Sequence, residues 1–572
     1  MLHLDSTRKI PEKRMKELVY SINALNRDKI PCTVANTFAA VYACYLFSNS
    51  KSTSIHELEE YIETYLPDNR KLFIKENLQG EYAFIPEIVS QFSDDEFLTY
   101  MTSLPVIENK GDSVNQTPES ISKLATRILD IEKGDKVADF GSGYGTFLMH
   151  VARENNDIDC YGVEINTSAI EIARIRAELA KARISFEQRD MFSLNEEQKY
   201  NKILSNYPFK VRLSGMTAGQ EFLKKACAFV PDIKKATSSD WLFNLLLLSH
   251  LEDDGKAVAV MTNGSTWNGI DENVRAFFIQ NGYVETVIAL PPRMFEAFSI
   301  PTTMIILSKG NQRIRMIDAQ NLCRKGRRMN SFSNDNIETI VNLVNSDSEI
   351  SKLVDIEEIQ NNNYSLSPMR FLQQEISVPD GVEFGTLIKR ITRGAQLKAS
   401  DLDAMISKAP TNTRYMMLSN IQDGIVDSNL PYLKELDPRL EKYCIKNQSL
   451  LLSKNGAPFK IAVAEVKEGV NILGNGNLFI IELDEEQVNP YFLKAFFDSE
   501  MGQNAIKRIA VGATIPNVSL TELKKMIVPK PSLDVQGRVA EKYQAKLDEI
   551  KVLQLKIEKA KNALKDIFTE GE

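Results

Sequence analysis

The sequence has 572 residues, which is too long for one hydrophobic core, so we expect about three or four domains. Hydrophobic residues make up 43% of the chain and charged residues 26%, a composition that excludes a disordered or fibrous protein. No apolar run reaches the roughly eighteen residues that a membrane helix needs. The net charge of −8 argues against a uniformly basic nucleic-acid binder, although local basic clusters remain.

Cysteine and histidine spacing bears on the compartment and on metal binding. The first five residues lack a basic and apolar signal sequence, and the four histidines are isolated. We therefore predict a cytoplasmic protein with no membrane partner and no zinc site. Six scattered cysteines are typical of reduced thiols: Cys32, Cys44, Cys160, Cys227, Cys323 and Cys444.

Residues 1–105 are predicted to form a helical N-terminal domain. Apolar positions recur at helical spacing in Thr33–Leu46 and Ile55–Tyr65, and strand-like alternation is scarce. We assign no chemistry to this domain.

Residues 106–330 change to short β-rich runs that alternate with helical stretches. This alternation predicts an α/β, Rossmann-like domain with a mostly parallel, doubly wound sheet, whose ligands bind at the carboxyl ends of the strands. The candidate strands are Lys136–Phe140, Asp159–Val163, Ile184–Glu187, Lys202–Ser205, Ala257–Met261, Val284–Leu290 and Thr303–Ser308.

The remaining chain divides into three further segments. Residues 331–379 are predicted to be an irregular, mainly helical connector, and residues 380–531 an α+β domain of short strands and turns. Residues 532–572 form one long helix with a coiled-coil seam, or alternatively a helix that lies on its own domain. The seam positions are Leu547, Ile550, Leu553, Ile557, Ala560, Leu564 and Ile567.

Two basic clusters could bind a phosphate backbone, or could equally be solvated loops. The first contains Arg313, Arg315, Arg324, Lys325, Arg327 and Arg328. The second contains Lys389, Arg390, Arg393 and Lys398.

The segment from Asp139 to Phe147 predicts a nucleotide-type cofactor pocket. Its glycines, Gly141, Gly143 and Gly145, follow a strand and precede a helix, where they let the backbone turn tightly beside a ligand. A Rossmann dehydrogenase would share these glycines, so they are weak evidence by themselves.

Acidic residues at the ends of successive strands favour S-adenosylmethionine as the cofactor. Asp139 ends the first strand, beside the amino-acid part of the ligand. Glu164 ends the second, where its carboxylate can accept both ribose hydroxyls, and Asp190 follows the third, where it can hold the adenine amino group.

The loop Asn206-Tyr207-Pro208-Phe209 follows the fourth strand and predicts methyl transfer to an exocyclic amine. The lone pair of such an amine is delocalised into its ring. Two hydrogen-bond acceptors, the Asn206 Oδ1 and the carbonyl of residue 207, would make that lone pair available. Pro208 stiffens the turn, and Phe209 can stack on a base removed from the helix. A plain connection between strand and helix is the alternative.

Together these motifs resemble the modification subunit of type I restriction-modification systems, which is an adenine DNA methyltransferase with the gamma order of motifs. Thr117-Pro118-Glu119 resembles the family's first motif, ahead of a helix that covers the cofactor. The segment 139–147 with Glu164 and Asp190 resembles its cofactor motifs, and 206–209 its Asn-Pro-Pro-Phe loop. The resemblance implies that Thr117, Pro118, Phe147 and Asn206 also contact the cofactor.

Tyr207 departs from that family, which has proline at this position. The acceptor is a backbone carbonyl, so we expect the chemistry to survive and Tyr207→Pro to retain or raise activity. The loop loses a restriction on φ and gains a bulky ring.

Residues 380–572 resemble half of a specificity subunit, with one DNA target-recognition domain and one spacer helix. The matching phrases are 415–421, 451–456, 501–503, 512–516 and 528–531 with Gln536. The resemblance implies double-stranded DNA as substrate. It further implies a second copy or a separate specificity subunit on the C-terminal helix, and a restriction subunit as a further candidate partner.

Two other functions stay open. Protein glutamine methyltransferases use a similar loop on a side-chain amide, although they would not need residues 380–572. Alternatively, Tyr207 marks an inactive site, and the chain is a DNA-binding or assembly subunit.

Overall fold

The computed structural model describes residues 10–27, 29–104, 116–155, 157–209, 211, 219–236, 239–295, 301–327, 329–372, 378–427, 429–456, 458–511 and 516–570. Its contacts divide the chain into two units, Met1–Leu372 and Gln373–Glu572. Within the described ranges, no helix has the length and apolar character needed to cross a membrane.

The first unit begins with a helical bundle, as the spacing of apolar residues predicted. Thr33 and Ser54 accept hydrogen bonds from the backbone N–H groups of Asn36 (3.1 Å) and Glu57 (3.3 Å), and so begin the second and third helices. The second helix is buried along most of its length and forms the centre of the bundle. The helices are α1 (Glu12–Leu25), α2 (Val34–Asn49), α3 (Ile55–Tyr65), α4 (Asp68–Leu78), α5 (Ile85–Gln91) and α6 (Asp94–Ser103).

A large sheet follows the bundle. The seven candidate strands are all present, and two further strands extend the sheet. Their bounds are β1 (Lys136–Phe140), β2 (Asp159–Glu164), β3 (Ile184–Gln188), β4 (Tyr200–Ser205), β5 (Leu251–Thr262), β6 (Val284–Ala289), β7 (Thr302–Leu307), β8 (Arg313–Asp318) and β9 (Ser351–Asp355). Among the described residues the sheet has nine strands, in the order β3-β2-β1-β4-β5-β7-β6-β8-β9.

The pairing of the strands differs between the two halves of the sheet. From β3 to β5 every neighbouring pair is parallel, as predicted. β7 runs antiparallel to both β5 and β6, and β9 runs antiparallel to β8, so the second half is mixed. The carboxyl ends of β1 to β4 therefore meet at one edge, where the predicted ligand-binding residues lie.

Helices cover both faces of the sheet because successive strand residues point to opposite sides. The helices are α7 (Glu119–Leu129), α8 (Thr146–Glu154), α9 (Thr167–Leu179), α10 (Gly219–Ala226), α11 (Asp240–Ser249), α12 (Glu272–Gln280), α13 (Asn334–Val344), α14 (Ile356–Asn361) and α15 (Met369–Leu372). Val137 and Leu204 pack with α7, α8 and α13, whereas Ala138 and Ile203 pack with α10 to α12.

Residues 331–379 differ from the predicted connector. They contain α13, the edge strand β9, α14 and α15, and the first unit extends to Leu372. Apolar residues such as Ile340 and Val354 are fully buried, so this segment completes the sheet and its helical layer.

The second unit consists of short strands and helices. Its larger sheets have the orders β11-β21-β18-β19 and β12-β16-β13-β20-β17. The elements are β10 (Gly381–Glu383), β11 (Ile388–Arg393), α16 (Ala399–Met405), β12 (Ile406–Ser407), β13 (Thr413–Met416), β14 (Ile421–Gln422), β15 (Ile425–Val426), β16 (Tyr432–Leu433), β17 (Cys444–Ile445), β18 (Leu450–Ser453), β19 (Ile461–Val463), β20 (Asn471–Gly474), β21 (Leu478–Leu483), α17 (Pro490–Asp498), α18 (Glu500–Ile509), β22 (Ala510–Val511), β23 (Asn517–Val518), α19 (Leu520–Lys525), β24 (Ile527–Pro529) and α20 (Leu533–Glu570). Residues 512–515 and the side chain of Ile567, which the sequence singled out, lie outside the described residues.

The long helix α20 packs on its own unit over the first part of its length, which is one of the two alternatives raised for it. Its first half packs on α17: Ala540 and Leu547 are buried, and Tyr543 accepts a hydrogen bond from Lys494 (3.0 Å). Beyond this region, apolar side chains up to Leu564 are exposed: Leu553 is 50% exposed and Leu564 66% exposed. The first half of α20 is thus part of the second unit, and the second half presents an apolar stripe.

The two basic clusters are partly neutralised within the protein. Arg315 is buried in β8 and pairs with Asp347, so it is not available to a phosphate. Lys389 lies 3.2 Å from Asp484, and Arg390 lies 3.4 Å from Glu482. Arg328 lies outside the described residues. The first cluster is therefore not a single basic loop, which corrects the expectation from the sequence.

Candidate active site

The glycine turn lies between β1 and α8 and is fixed by backbone hydrogen bonds. Gly141, Gly143 and Gly145 have φ values of 80°, 51° and 73°, a region that side chains disfavour. A Cβ on Gly145 would lie 2.8 Å from the ring of Phe186, so this glycine also allows the turn to pack closely on β3. The turn therefore requires glycine on both conformational and steric grounds.

Two of the predicted acidic residues are held by backbone N–H groups at the carboxyl ends of their strands. The Glu164 carboxylate accepts from Gly143 (2.9 Å) and from Asn166 (2.8 Å), which ties β2 to the glycine turn. Asp190 accepts from the Phe192 N–H (3.0 Å). Both carboxylates are thus oriented at the same edge of the sheet.

Asp139 lies deeper than the other two acids, at the end of β1. It is 4% exposed. Burial, reinforced by the nearby charge of Glu164, raises the pKa of Asp139 well above its usual range. A cationic group bound beside Asp139 would stabilise its charged form.

The side-chain oxygen of Asn206 is a buried hydrogen-bond acceptor that has no donor among the described residues. Its side-chain Nδ2 donates to the Thr117 hydroxyl (3.1 Å), so the amide orientation is set. Its Oδ1 is buried and accepts no hydrogen bond from the described residues. Since a buried acceptor without a donor is costly, this oxygen is suited to a donor supplied by a ligand.

Tyr207 turns its ring into the core, away from the solvent. The ring is fully buried and stacks on Phe243, with centroids 4.6 Å apart and an interplanar angle of 13°. Its hydroxyl donates to Asn244 Oδ1 (3.0 Å). Burial, with the nearby charge of Asp240, raises the pKa of Tyr207 well above its usual range and keeps it a neutral donor. The ring therefore anchors the loop from inside.

These contacts predict that Tyr207→Pro destabilises the protein, whereas the sequence suggested only that the variant would retain or raise activity. A proline cannot fill the space between the loop and α11 or donate to Asn244, so we expect the variant to lose about 3–5 kcal/mol of stability. Tyr207→Phe is the matched control, because it keeps the stacked ring and removes only the hydroxyl; we expect a loss of about 1–2 kcal/mol. Chemical denaturation of the full chain measures both. Equal stability of wild type and Tyr207→Pro would show that the ring is not an anchor.

Two other loop residues lie at the surface of the site. Pro208 is exposed, and Phe209 is partly buried with its ring edge-on to Phe295 at 5.8 Å. Phe209 thus has support on one side.

Phe147 and Pro118 are both buried, and their contact with the cofactor stays a prediction. Phe147 is fully buried in the core shared by α7 and α8. Pro118 is buried at the beginning of α7. The Thr117 hydroxyl accepts a hydrogen bond from Asn206, and its contact with the cofactor stays a prediction.

Ile165 was missed by the sequence analysis. It directly follows Glu164 and is 64% exposed, so an apolar surface lies beside the carboxylate at the end of β2. The signal was available, because an apolar residue between a strand end and the helix start Asn166 has no core position to fill. Among the described residues, no group of three metal-ligating side chains comes together.

Part of the chain is similar to known DNA methylases and to a glutamine methyltransferase. Residues 106–378 match the family model described as N-6 DNA Methylase. The methylase subunit of the Type I restriction enzyme MpnII from Mycoplasma pneumoniae is 27% identical over 314 residues, which cover 49% of this chain and 56% of that protein. A release factor glutamine methyltransferase from Bacillus anthracis is 26% identical over 174 residues, covering 30% of this chain and 59% of that protein.

A likeness of fold extends over both units. The structure of a nuclease-deletion mutant of the Type ISP restriction-modification enzyme LlaGI, in complex with a DNA substrate mimic, covers 93% of this chain and 66% of that one, with a TM-score of 0.51 and 11% identity. This chain spans little more than half of the length of its MpnII relative, 56%. Residues 106–378, which hold the glycine turn, the strand-end acids and the Asn206 loop, are therefore similar to the N-6 DNA methylase family.

Proposed function

We propose that the protein is a sequence-specific DNA N6-adenine methyltransferase, which transfers a methyl group from S-adenosylmethionine to the exocyclic amine of a flipped adenine. The setting would be restriction-modification or another defence against foreign DNA. The observation that carries the proposal is the buried Asn206 Oδ1, which accepts no hydrogen bond from the described residues, at the edge that also holds Glu164 and Asp190.

The acidic residues and the glycine turn fit the cofactor. Glu164 would accept the ribose hydroxyls, and Asp190 the adenine amino group, with Ile165 against a face of the adenine ring. Asp139 would pair with the ammonium group. When bound, S-adenosylmethionine supplies an electrophilic methyl group on a sulfonium.

The Asn206 loop would act on the base. Asn206 Oδ1 and the Tyr207 carbonyl would accept the two N–H groups of the target amine, which frees its lone pair. Thr117 holds the Asn206 amide in orientation, and Phe209 would stack on the flipped base, supported by Phe295.

Cofactor affinity gives the first test of these assignments. Glu164→Ala is expected to weaken S-adenosylmethionine binding by about 10- to 150-fold, because the loss of a hydrogen-bonded charged partner costs roughly 1.5–3 kcal/mol. Calorimetry on the full chain measures it, with Glu187→Ala, a carboxylate one strand away, as the control. Unchanged affinity of Glu164→Ala would reject the ribose assignment.

The second unit is proposed to read the DNA target, as one recognition domain fused to one spacer helix. Rigid strands with polar loops can present base-reading side chains, while lysine and arginine hold the phosphates. The fold of LlaGI is similar across 93% of this chain, which supports the proposal that the two units act together in one polypeptide.

The direct experiment uses purified full-length protein, radiolabelled S-adenosylmethionine and a random DNA pool, followed by identification of the modified base. N6-methyladenine within one sequence context supports the proposal. Label in a glutamine-containing protein substrate, and none in DNA, would support the glutamine methyltransferase alternative that the Bacillus anthracis relative suggests. DNA binding without any transfer would support an inactive assembly subunit.

The exposed half of α20 is proposed to pair with a second copy or with a separate specificity chain; a restriction subunit is a further candidate partner. Its apolar stripe, including Leu553 and Leu564, would otherwise face water. A two-fold dimer would read a symmetric, interrupted target, because protein symmetry is mirrored in the site.

Light scattering tests this pairing on the full chain. We expect a dimer that Leu553→Glu with Leu564→Glu converts to a monomer. The matched control, Lys556→Glu with Lys561→Glu, changes charge on the same helix without touching the stripe. If the wild type is a monomer and stays one when a specificity chain is added, the stripe is not a pairing surface.

A further inference from the structure

The ring of Tyr144 connects the glycine turn to the N-terminal helical bundle. Tyr144 lies between Gly143 and Gly145, and its side chain is only 5% exposed. It belongs to the same hydrophobic core as residues of α1 to α6, together with Ile172 and Ile175 of α9. The bundle and the turn are therefore packed as one body.

Arg176 reinforces this connection from α9. It is 1% exposed, and its guanidinium donates to the carbonyls of Met101 (3.1 Å) and Thr102 (3.1 Å) at the end of α6. The same guanidinium donates to the carbonyl of Tyr144 and to the hydroxyl of Thr146 (3.4 Å). One side chain thus holds the last turn of α6 and both sides of Gly145.

These bonds offset the cost of a buried charge. The carbonyls at a helix end have no partner within the helix. Arg176 donates to the Met101 carbonyl and shares the Thr102 carbonyl with Arg153 (2.6 Å). Burial, with the nearby Arg153, lowers the pKa of Arg176 to about 9. A buried guanidinium stays charged only while the acceptors around it keep their positions. Arg176 therefore couples the position of the end of α6 to that of the glycine turn.

The same end of α6 also approaches the other side of the site. Gln116 Nε2 donates to the carbonyl of Leu104, the residue after α6 (3.0 Å). Gln116 precedes Thr117, whose hydroxyl holds the Asn206 amide. The end of α6 is therefore linked by short paths to the glycine turn and to the Asn206 loop.

We propose that the helical bundle α1 to α6 contributes to cofactor binding. Arg176 is a positioning residue: by joining the end of α6 to the glycine turn, it holds the turn in the conformation that binds the cofactor. The inference rests on the proposed function only for the identity of the cofactor. It gives a role to a domain in which the sequence shows no chemistry.

Arg176→Lys in the full chain tests the proposal. Lysine keeps the charge but cannot reach all of the acceptors that Arg176 contacts, so we expect about tenfold weaker binding of S-adenosylmethionine by calorimetry. We also expect faster hydrogen–deuterium exchange at residues 141–147 in the absence of cofactor. Arg70→Lys is the matched control: Arg70 joins α4 to Glu171 and Glu178 of α9 but does not contact the turn. It should leave both measurements unchanged.

A merely structural role for Arg176 would give a different result. In that case the melting temperature would fall while the folded protein keeps wild-type affinity and wild-type exchange at 141–147, which would overturn the proposal. If Arg176→Lys does not fold, the wild type supplies the test. Cofactor should then slow exchange at residues 99–104 together with 141–147, and protection of the turn alone would overturn the proposal.

The two proposals can fail separately. Failure of the wild type to bind S-adenosylmethionine would count against the proposed function. Exchange at 141–147 in the ligand-free Arg176→Lys protein would still decide whether Arg176 positions the turn.

Discussion

Replacing Asn206 with alanine is expected to lower methyl transfer by more than about 100-fold while leaving affinity for S-adenosylmethionine within about twofold. The cofactor contact that the resemblance implies for Asn206 would then contribute little to cofactor affinity. The variant loses the buried Oδ1 that would accept the target amine and leaves the Tyr207 carbonyl as the remaining proposed acceptor. Single-turnover transfer to DNA and calorimetry with the cofactor measure the two effects on the full chain.

Two further variants distinguish the role of the Asn206 Oδ1 from that of the Thr117 hydroxyl, which orients the Asn206 amide. Thr117→Val removes the hydroxyl that holds the Asn206 amide and should give an intermediate rate, because the Oδ1 remains but its orientation is no longer fixed. Asn195→Ala, an exposed asparagine that contacts only local backbone in the described residues, should transfer at the wild-type rate. Asn206→Ala activity above a few per cent of wild type would remove Asn206 from the catalytic role.

The predicted strands were found because buried parallel strands leave a strong signal. Runs such as 136–140 and 284–290 are rich in β-branched and aromatic residues and are separated by helical stretches, and the structure places strands at both. β8 escaped prediction because Arg313 and Arg315 suggested a basic surface loop. The pairing of Arg315 with Asp347 is a tertiary contact that local sequence does not encode.

The contacts that define the site were less accessible to sequence reasoning. Thr117 and Asn206 lie 89 positions apart, and their hydrogen bond depends on how α7 packs on the sheet. The direction of the Tyr207 ring depends on Phe243 and Asn244, which approach it from α11. Residue type and spacing indicated which loops carry the chemistry, whereas orientation required the packed core.

The long helix shows a similar division. Its apolar spacing predicted α20 from the sequence, and the helix is present as Leu533–Glu570. Spacing alone did not separate the part that packs on α17 from the exposed part. That separation depends on contacts such as the one between Lys494 and Tyr543, which are specific to the second unit.

Asp139→Asn is expected to weaken S-adenosylmethionine binding by at least about tenfold and to remove most of its pH dependence. Burial, followed by the charge of Glu164, raises the pKa of Asp139 in the ligand-free protein. The charged form must pair with the cofactor's ammonium group. Wild-type affinity should therefore fall as the pH decreases through the raised pKa, and binding above that range should be nearly independent of pH. Calorimetry in buffers of different ionisation enthalpy should detect proton release on binding.

The stability of the ligand-free protein should change in the opposite direction. Because folding raises the pKa of Asp139, the folded protein keeps a proton that the unfolded chain has lost. The contribution of this carboxyl to stability is then fully present below its ordinary pKa, and it is lost as the pH rises through the raised value. Asp139→Asn, which cannot ionise, should be more stable than wild type at neutral pH although it binds cofactor more weakly. Asp135→Asn, at the far end of β1, is the control and should change neither property. Wild-type affinity in Asp139→Asn, or a flat affinity profile in the wild type, would show that Asp139 does not pair with the cofactor.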